Sequence, residues 1–150
     1  PRLGAASITS EGKQQVANSI SDAAKLFMAF SDRLVFRRAN VVRFRPHKLY
    51  DVIWTGGLFD YFSDRVFKLL LRRLLPFLAP GGELVIGNFG LSRSHSNFHW
   101  LRFCEWILHH RTADQLRALA NEAGARREQI RIGIEPAGVH LFLHVAAERA

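Results

Sequence analysis

The sequence predicts an α/β fold in which a mostly parallel sheet ends in an antiparallel hairpin. A short apolar run from Tyr50 stops at two glycines, an amphipathic segment follows, and Pro80-Gly81-Gly82 precedes a second apolar run that ends at Phe89. Strand, helix and strand in this order are typical of a βαβ unit with buried parallel strands. Two later apolar runs, 129–134 and 139–146, are separated by a short segment with Pro and Gly and predict the hairpin.

The N-terminal third has weaker patterns. Residues 1–15 lack clear periodicity, and we expect them to be poorly ordered. A helix is predicted to start at Ser21-Asp22 and to run to about Ser31, since apolar residues recur there at helical spacing. A short strand is predicted at Leu34–Phe36, and Val41–Phe44 should extend it or turn away from it.

Three further helices are predicted along the chain. The central helix should begin at Ser63-Asp64, because Ser is a favourable N-cap, and Pro76 should kink it or mark its last turn. A dense aromatic helix is predicted over 98–108. The last helix should begin with a capping box, Thr112–Gln115, and stop at Gly124. The apolar residues of the central helix recur at helical spacing: Val66, Phe67, Leu70, Leu71, Leu74, Leu75 and Leu78.

Composition limits the class of protein. With 150 residues, 48% of them apolar and 23% charged, the chain is large enough for one globular domain with a core. No apolar run approaches the roughly 20 residues of a membrane span. A single cysteine, Cys104, excludes an internal disulfide framework and fits a reducing compartment, so we expect a cytoplasmic protein. The formal charge is +8, but the basic residues are scattered and favour a solvated face over nucleic-acid binding.

The ends of the two central strands are the predicted place for a site. An open α/β sheet binds ligands beyond the carboxyl ends of its parallel strands. Thr55–Tyr61 and Asn88–Gly90 follow those ends and should line a crevice. Metal binding is not expected, because no Cys or carboxylate completes a ligand set with the histidines near position 100.

The same stretch carries a family resemblance. The ordered set of Tyr-Asp-Val-Ile, a Gly-Leu-Phe-Asp-Tyr turn, a Leu-rich helix and the segment Leu78–Phe89 resembles the C-terminal two-thirds of a class I S-adenosylmethionine-dependent methyltransferase. The resemblance covers about residues 20–148 and implies one partial, Rossmann-like domain over 1–150. It also implies S-adenosyl-L-methionine as cofactor and a small methyl acceptor. The most similar subgroup comprises bacterial enzymes that form methyl esters of 3-hydroxy fatty acids, so a fatty-acid-like acceptor is one candidate.

The resemblance implies a set of cofactor-binding residues. Asn40 stands where the family places the residue that meets the adenine amine, with Val41 beside it; the alternative is a turn-forming Asn. The turn after the family's fourth strand lies along the cofactor, and its glycines allow close backbone approach. The alternative is a simple tight turn. The matching residues are Thr55, Gly56, Gly57 and Leu58.

The same resemblance implies candidates for catalysis and for binding of the methyl acceptor. Asp60 could accept a proton or orient an acceptor hydroxyl, and Tyr61 could shape the pocket; helix capping and core packing are the alternatives. Asn88 could face the same crevice. Trp100 would suit a lipid-like acceptor and Arg111 a carboxylate, although the sequence favours a core position for the aromatic residues.

Two family features are missing from the sequence: the glycine-rich loop after the first strand and the acidic residue that binds the ribose hydroxyls at the end of the second strand. The glycine-rich loop that cradles the methionine part of the cofactor is not found, and Leu3-Gly4-Ala5-Ala6 is a poor substitute. We therefore expect this chain alone to be inactive and to be part of a longer enzyme. A homodimer in which a second copy completes the sheet could also fill the gap. The alternative is a catalytically inactive methyltransferase-like domain that binds a partner or a lipid.

Overall fold

The computed structural model describes residues 33–91 and 107–149, together with Asp22 and Lys25. Two compact units divide the chain, Pro1–Arg43 and Phe44–Ala150. Asp22 and Lys25 are helical, in agreement with the first predicted helix, and the rest of that helix lies outside the described residues. The predicted aromatic helix lies outside them as well, except for its last two positions, which are not helical.

In the N-terminal unit, the prediction of a strand at Leu34–Phe36 is wrong. Residues 34–40 have no regular secondary structure, and all three of these apolar side chains are exposed. A strand needs a partner for its backbone groups, and three apolar residues in a row do not supply one. A turn follows, in which the backbone carbonyl of Asn40 accepts from the amide of Arg43.

The second unit is built on a four-stranded sheet. Its strands are β1 (Tyr50–Thr55), β2 (Leu78–Phe89), β3 (Ile130–Ile134) and β4 (His140–Ala146), in the order β1-β2-β4-β3. β1 and β2 are parallel, whereas β4 is antiparallel to both of its neighbours. The α/β fold, the parallel pair and the C-terminal hairpin are confirmed. Within the described residues the sheet is mixed rather than mostly parallel, because β4 inserts between β2 and β3.

Two helices accompany this sheet. Helix α1 spans Asp64–Leu74 and continues into a 3-10 turn, Leu75–Phe77, which contains Pro76 and ends the helix as predicted. Ser63 is its N-cap residue, but its side chain makes no capping hydrogen bond. Helix α2 spans Ala113–Glu122 and has the predicted capping box, in which Thr112 Oγ1 accepts from the Gln115 amide and Gln115 Oε1 accepts from the Thr112 amide.

The core lies between one face of the sheet and the two helices. Alternate residues of β4 are buried, whereas β2 is buried continuously over residues 84–88. Buried residues of the two strands lie opposite one another in the pairs Ile86 with Leu143 and Leu84 with Val145. Phe67 of α1 and Leu116 of α2 belong to the same apolar cluster. Burial of apolar surface contributes about 25 cal/mol per Å², so this cluster is the main stabilising contact of the unit. The opposite face is more open: Trp54 of β1 is 61% exposed.

Candidate functional site at the carboxyl ends of β1 and β2

The carboxyl ends of the two parallel strands lie at the same edge of the sheet. Thr55, the last residue of β1, is in register with Ile86, and β2 ends three residues later at Phe89. A 3-10 turn, Phe59–Tyr61, follows β1. A hydrogen bond from the Phe89 amide to Asp60 Oδ1, at 2.7 Å, joins this turn to the end of β2. The structure therefore brings the two predicted segments of the site together.

Asp60 is the most unusual polar residue at this edge. Its side chain is 1% exposed, and its second oxygen, Oδ2, has no hydrogen-bond partner within the described part of the chain. Burial raises the pKa of the carboxyl group, while the Phe89 amide and the nearby His140, Arg111 and His110 lower it. Asp60 does not cap helix α1; it binds the end of β2 instead. A buried carboxylate oxygen without a partner is the kind of group that marks a functional site.

Two histidines that the sequence did not single out lie beside Asp60. The His140 ring is 4.2 Å from the Phe89 ring, and the His110 ring meets Phe89 edge to face at 5.9 Å. Burial lowers the pKa of His110, partly offset by the Asp60 charge. His140 comes here because its strand starts opposite the end of β2, where it pairs with Phe89. Only the strand register, which sequence patterns do not give, could have placed it.

The structure corrects the role predicted for Arg111. Its side chain is 3% exposed, and all five guanidinium N–H groups have acceptors within the protein. They donate to Asp64 Oδ1 at 2.9 and 3.0 Å, to Asn88 Oδ1 at 2.7 Å, and to backbone carbonyls of Phe59, Phe62 and His109. No N–H remains for an acceptor carboxylate, so Arg111 ties together the segments around the site instead.

Asn88 belongs to the same network rather than to a crevice surface. It is fully buried, and its Oδ1 accepts from Arg111. Its Nδ2 donates to the backbone carbonyls of Phe89 and His109, at 2.8 and 3.1 Å. The prediction that Asn88 faces the acceptor is therefore not supported. Tyr61, by contrast, is 53% exposed, so its predicted alternative role in the core is wrong.

The turn after β1 has an open backbone. Gly57 adopts φ +64°, a left-handed conformation that favours glycine, and the adjacent Gly56 is exposed. A Cβ at Gly56 would lie 3.2 Å from Trp54 Nε1, so a side chain there would crowd the indole. Thr55 Oγ1 donates to the Val85 carbonyl at 3.4 Å, and Leu58 is half-buried. These four residues form a tight turn whose backbone a ligand could approach.

The remaining predicted site residues lie elsewhere. Asn40 and Val41 belong to the N-terminal unit, where Asn40 Oδ1 accepts from the Val42 amide at 3.0 Å, as expected of a turn-forming Asn. The Nδ2 group of Asn40 takes no part in that hydrogen bond. Trp100 lies outside the described residues. In the part of the chain that the structure describes, no three His, Cys, Asp or Glu side chains are grouped to hold a metal.

A cavity of about 310 Å³ opens next to this turn. Its lining comes from β1, the turn after it, β2, the β3–β4 connection and β4. The lining residues are Trp54, Gly56, Gly57, Gly87, Glu135, His140 and Phe142. Asp60 Oδ2 lies 4.0 Å from the position that a Cβ of Gly57 would take, so the unpaired oxygen is close to the cavity wall.

Comparison with known proteins identifies the fold. No protein-family model matches the sequence, and no curated protein matches it. Solved structures do: a possible exported protein from Bordetella parapertussis is 21% identical, with a TM-score of 0.70 over 94% of this chain and 51% of that one. The S-adenosylmethionine-dependent methyltransferase SibL, solved without ligand, is 13% identical, with a TM-score of 0.67 over 93% of this chain and 42% of that one.

A third similar structure is human N-acetylserotonin methyltransferase in complex with S-adenosylmethionine. It is 15% identical, with a TM-score of 0.60 over 79% of this chain and 35% of that one. The chain thus spans about half the length, or less, of these structures. None of the helices in the described residues is long and apolar enough to cross a membrane. The sheet order and these similarities together show that the chain has the fold of the class I S-adenosylmethionine-dependent methyltransferases.

Proposed function

We propose that this chain is part of an S-adenosylmethionine-dependent methyltransferase and that methyl transfer takes place at the shared edge of β1 and β2. The observation that carries the proposal is Asp60, a buried carboxylate at the strand ends of a methyltransferase fold, one oxygen of which has no hydrogen-bond partner among the residues that the structure describes. Proteins with this fold, such as human N-acetylserotonin methyltransferase, bind S-adenosylmethionine. Because the chain spans half or less of such proteins, the activity belongs to the longer protein that contains it.

The residues present fit one side of a cofactor site. The positive φ of Gly57 and the exposed Gly56 leave backbone amides open to a ligand beside Thr55 and Leu58. In the N-terminal unit, Asn40 and Val41 are our candidates for the adenine contact. When bound, S-adenosylmethionine supplies an electrophilic methyl group on a sulfonium leaving group. Without a glycine-rich loop, we propose that this chain alone binds the cofactor weakly and does not turn over.

Asp60 would act as the general base that takes the proton from a hydroxyl group of the methyl-accepting substrate. Burial raises its pKa, and a carboxylate with a raised pKa is a stronger base than an exposed one. Its Oδ1 is held by the Phe89 amide, which leaves Oδ2 for a substrate proton. The Arg111 network fixes the turn that carries Asp60, because Arg111 donates to the carbonyls of Phe59 and Phe62 on either side. The exposed Tyr61 would lie at the rim of the proposed acceptor site.

The acceptor we propose is a small molecule. The adjacent cavity of about 310 Å³ is at the lower end of the range for small-molecule sites. A fatty-acid-like acceptor of the longer protein remains a second proposal. We also retain the proposals of a cytoplasmic location and of a second copy that pairs with β1, which is an edge strand within the described sheet.

The test is methyl transfer by the longer protein from radiolabelled S-adenosylmethionine to a panel of small hydroxyl- and carboxyl-bearing acceptors. We expect Asp60→Asn to lower kcat roughly 10²- to 10⁴-fold, the usual contribution of a positioned general base, with cofactor binding unchanged. Asp114→Asn is the matched control, because Asp114 is an exposed carboxylate on α2. Wild-type turnover by Asp60→Asn would contradict the catalytic role of Asp60.

A second candidate function is a binding domain without turnover. It is favoured by the complete commitment of Arg111 and Asn88 to protein contacts, which leaves few polar groups at the edge for chemistry. This candidate predicts that the longer protein fails to bind S-adenosylmethionine in calorimetry. Cofactor binding by the longer protein would exclude it.

A further inference from the structure

We propose that the cavity beside β1 and β4 is a binding site for a small quaternary ammonium compound. The proposal concerns a ligand of this cavity and does not depend on methyl transfer. It rests on three features of the described residues: the ring geometry of the walls, the glycine that opens the floor, and the charge of the lining.

The walls of the cavity are aromatic rings from β1 and β4, which lie on either side of β2. The Trp54 and Phe142 rings are 5.6 Å apart with an interplanar angle of 32°. The His140 ring stacks on Phe142 at 6.1 Å, with an angle of 21°. Trp54 is largely exposed and lines the cavity. A cation over an aromatic face is attracted by the ring quadrupole, most strongly by Trp.

The floor is open because β2 carries a glycine between these rings. Gly87 pairs with Phe142 on β4 and lies one residue beyond the pair of Ile86 with Thr55. A Cβ at Gly87 would lie 3.5 Å from the Phe142 ring and 3.7 Å from the Gly57 amide nitrogen. A larger side chain at this position would fill the space between the rings, so the cavity depends on glycine here.

The charge of the lining selects for cations. The chain as a whole has a formal charge of +8, yet the described lining contains Glu135 and neither Lys nor Arg. Glu135 Oε1 accepts from the amides of Val139 and His140, both at 3.1 Å, which fixes the carboxylate at the rim. Asp60 Oδ2, buried and unpaired, lies behind Gly57. An aromatic cavity whose described lining carries one carboxylate and neither Lys nor Arg favours organic cations.

These features distinguish a cation site from a general apolar site. A neutral molecule of the same shape would gain the same burial against Trp54 and Phe142, but neither the cation–π attraction nor the attraction to Glu135. Cation–π contacts and a partly exposed ion pair together predict about a 10-fold or larger preference for the cation.

The experiment compares two molecules of nearly equal shape. Choline and its neutral isostere 3,3-dimethylbutan-1-ol are titrated separately into this chain, and binding is followed by chemical-shift changes of the Trp54 indole N–H. We expect choline to bind at least about 10-fold more tightly than the alcohol. Equal affinity for the two molecules, or no binding of choline, would overturn the proposal.

Variants assign the effect to this cavity. Glu135→Gln should weaken choline binding about 3- to 30-fold and leave the alcohol almost unchanged. Trp54→Ala also removes an apolar wall, so it should weaken both ligands, and choline more than the alcohol. Binding to Trp54→Ala is measured by calorimetry, because this variant lacks the reporter indole. The matched control is Glu128→Gln, because Glu128 is exposed, pairs with Arg126 and lies outside the lining. Choline binding that is insensitive to Glu135→Gln and Trp54→Ala would also overturn the proposal. Gly87→Val, which fills the floor, should abolish binding, and thermal unfolding confirms that each variant is folded.

The same cation chemistry could come from an ammonium compound or from a sulfonium compound. Titration of S-adenosylmethionine and of its neutral product S-adenosylhomocysteine separates the two sources. If Glu135→Gln weakens S-adenosylmethionine but spares the product, the cavity receives the sulfonium group of the cofactor, and the proposal of a separate ammonium site is overturned. If Glu135→Gln weakens choline alone, the proposal is supported.

Discussion

Replacement of Arg111 by Ala is the sharpest test of how the site is held together. The substitution removes the ion pair with Asp64 and leaves the buried Asn88 Oδ1 and the carbonyls of Phe59 and Phe62 without their donor. An abandoned buried acceptor costs about 1–3 kcal/mol. The Asp64 side chain is 67% exposed, so that ion pair contributes less than about 1 kcal/mol.

From these contributions we expect Arg111→Ala to lower the free energy of unfolding by about 3–5 kcal/mol, in the range for a broken buried charge network. The loss of the Arg111 guanidinium from the face of Phe67, 4.8 Å from the ring centroid, adds to it. Urea denaturation of the chain, followed by circular dichroism, measures the change as a shift of the midpoint at constant m-value.

Two control variants separate the network from a general loss of charge. Arg117→Ala removes an exposed arginine that pairs with Asp114 three residues away, and it should change stability by less than about 0.5 kcal/mol. Asp64→Asn keeps the acceptor oxygen for Arg111 and should cost less than about 1 kcal/mol. If Arg111→Ala costs no more than Arg117→Ala, the reasoning from unsatisfied buried acceptors is refuted.

Two further predictions concern Asp60 and a glycine of β2. Because burial raises the pKa of Asp60 above its unfolded value of 3.8, the folded state binds the proton more tightly, so this residue's contribution to stability falls as pH rises from about 3.8 through the raised folded pKa. The free energy of unfolding of Asp60→Asn should therefore rise relative to that of the wild type over this pH range in denaturation measurements. A difference that does not depend on pH would contradict the shift. At Gly82, a Cβ would lie 2.8 Å from the Tyr50 carbonyl oxygen and 2.9 Å from that of Ala79, both rigid backbone atoms. Gly82→Ala should lower stability by about 1–3 kcal/mol, whereas an unchanged melting temperature would show that the backbone relaxes freely.

Local signals gave much of this fold. The glycines after β1, the Pro-Gly-Gly before the core of β2 and the Thr112–Gln115 capping box each act over a few residues, so they can be recognised without knowledge of the tertiary structure. The same argument explains the failure at Leu34–Phe36. A short apolar run is compatible with a strand, but only a pairing partner makes it one.

The site was harder to predict because its contacts join distant segments. Asp60 was recognised as a candidate from its position after a strand, but its bond to Phe89 spans 29 residues. Arg111 was expected to face a substrate, and no local pattern indicates that a guanidinium will be surrounded by acceptors from three other segments. His140 reaches the edge only through the register of an antiparallel strand. Residue identity suggested chemistry here, whereas burial and register decided which residues could perform it.

The bridge between Gly90 and Arg111 has a consequence for how such a protein can change. The chain departs after β2 and comes back at the same point, where the Arg111 amide donates to the Phe89 carbonyl and the Leu91 amide donates to the Arg111 carbonyl. These backbone hydrogen bonds therefore join the two ends of the intervening stretch. Its length and sequence can vary without loosening the sheet, which makes it the natural place to graft new specificity onto an unchanged scaffold.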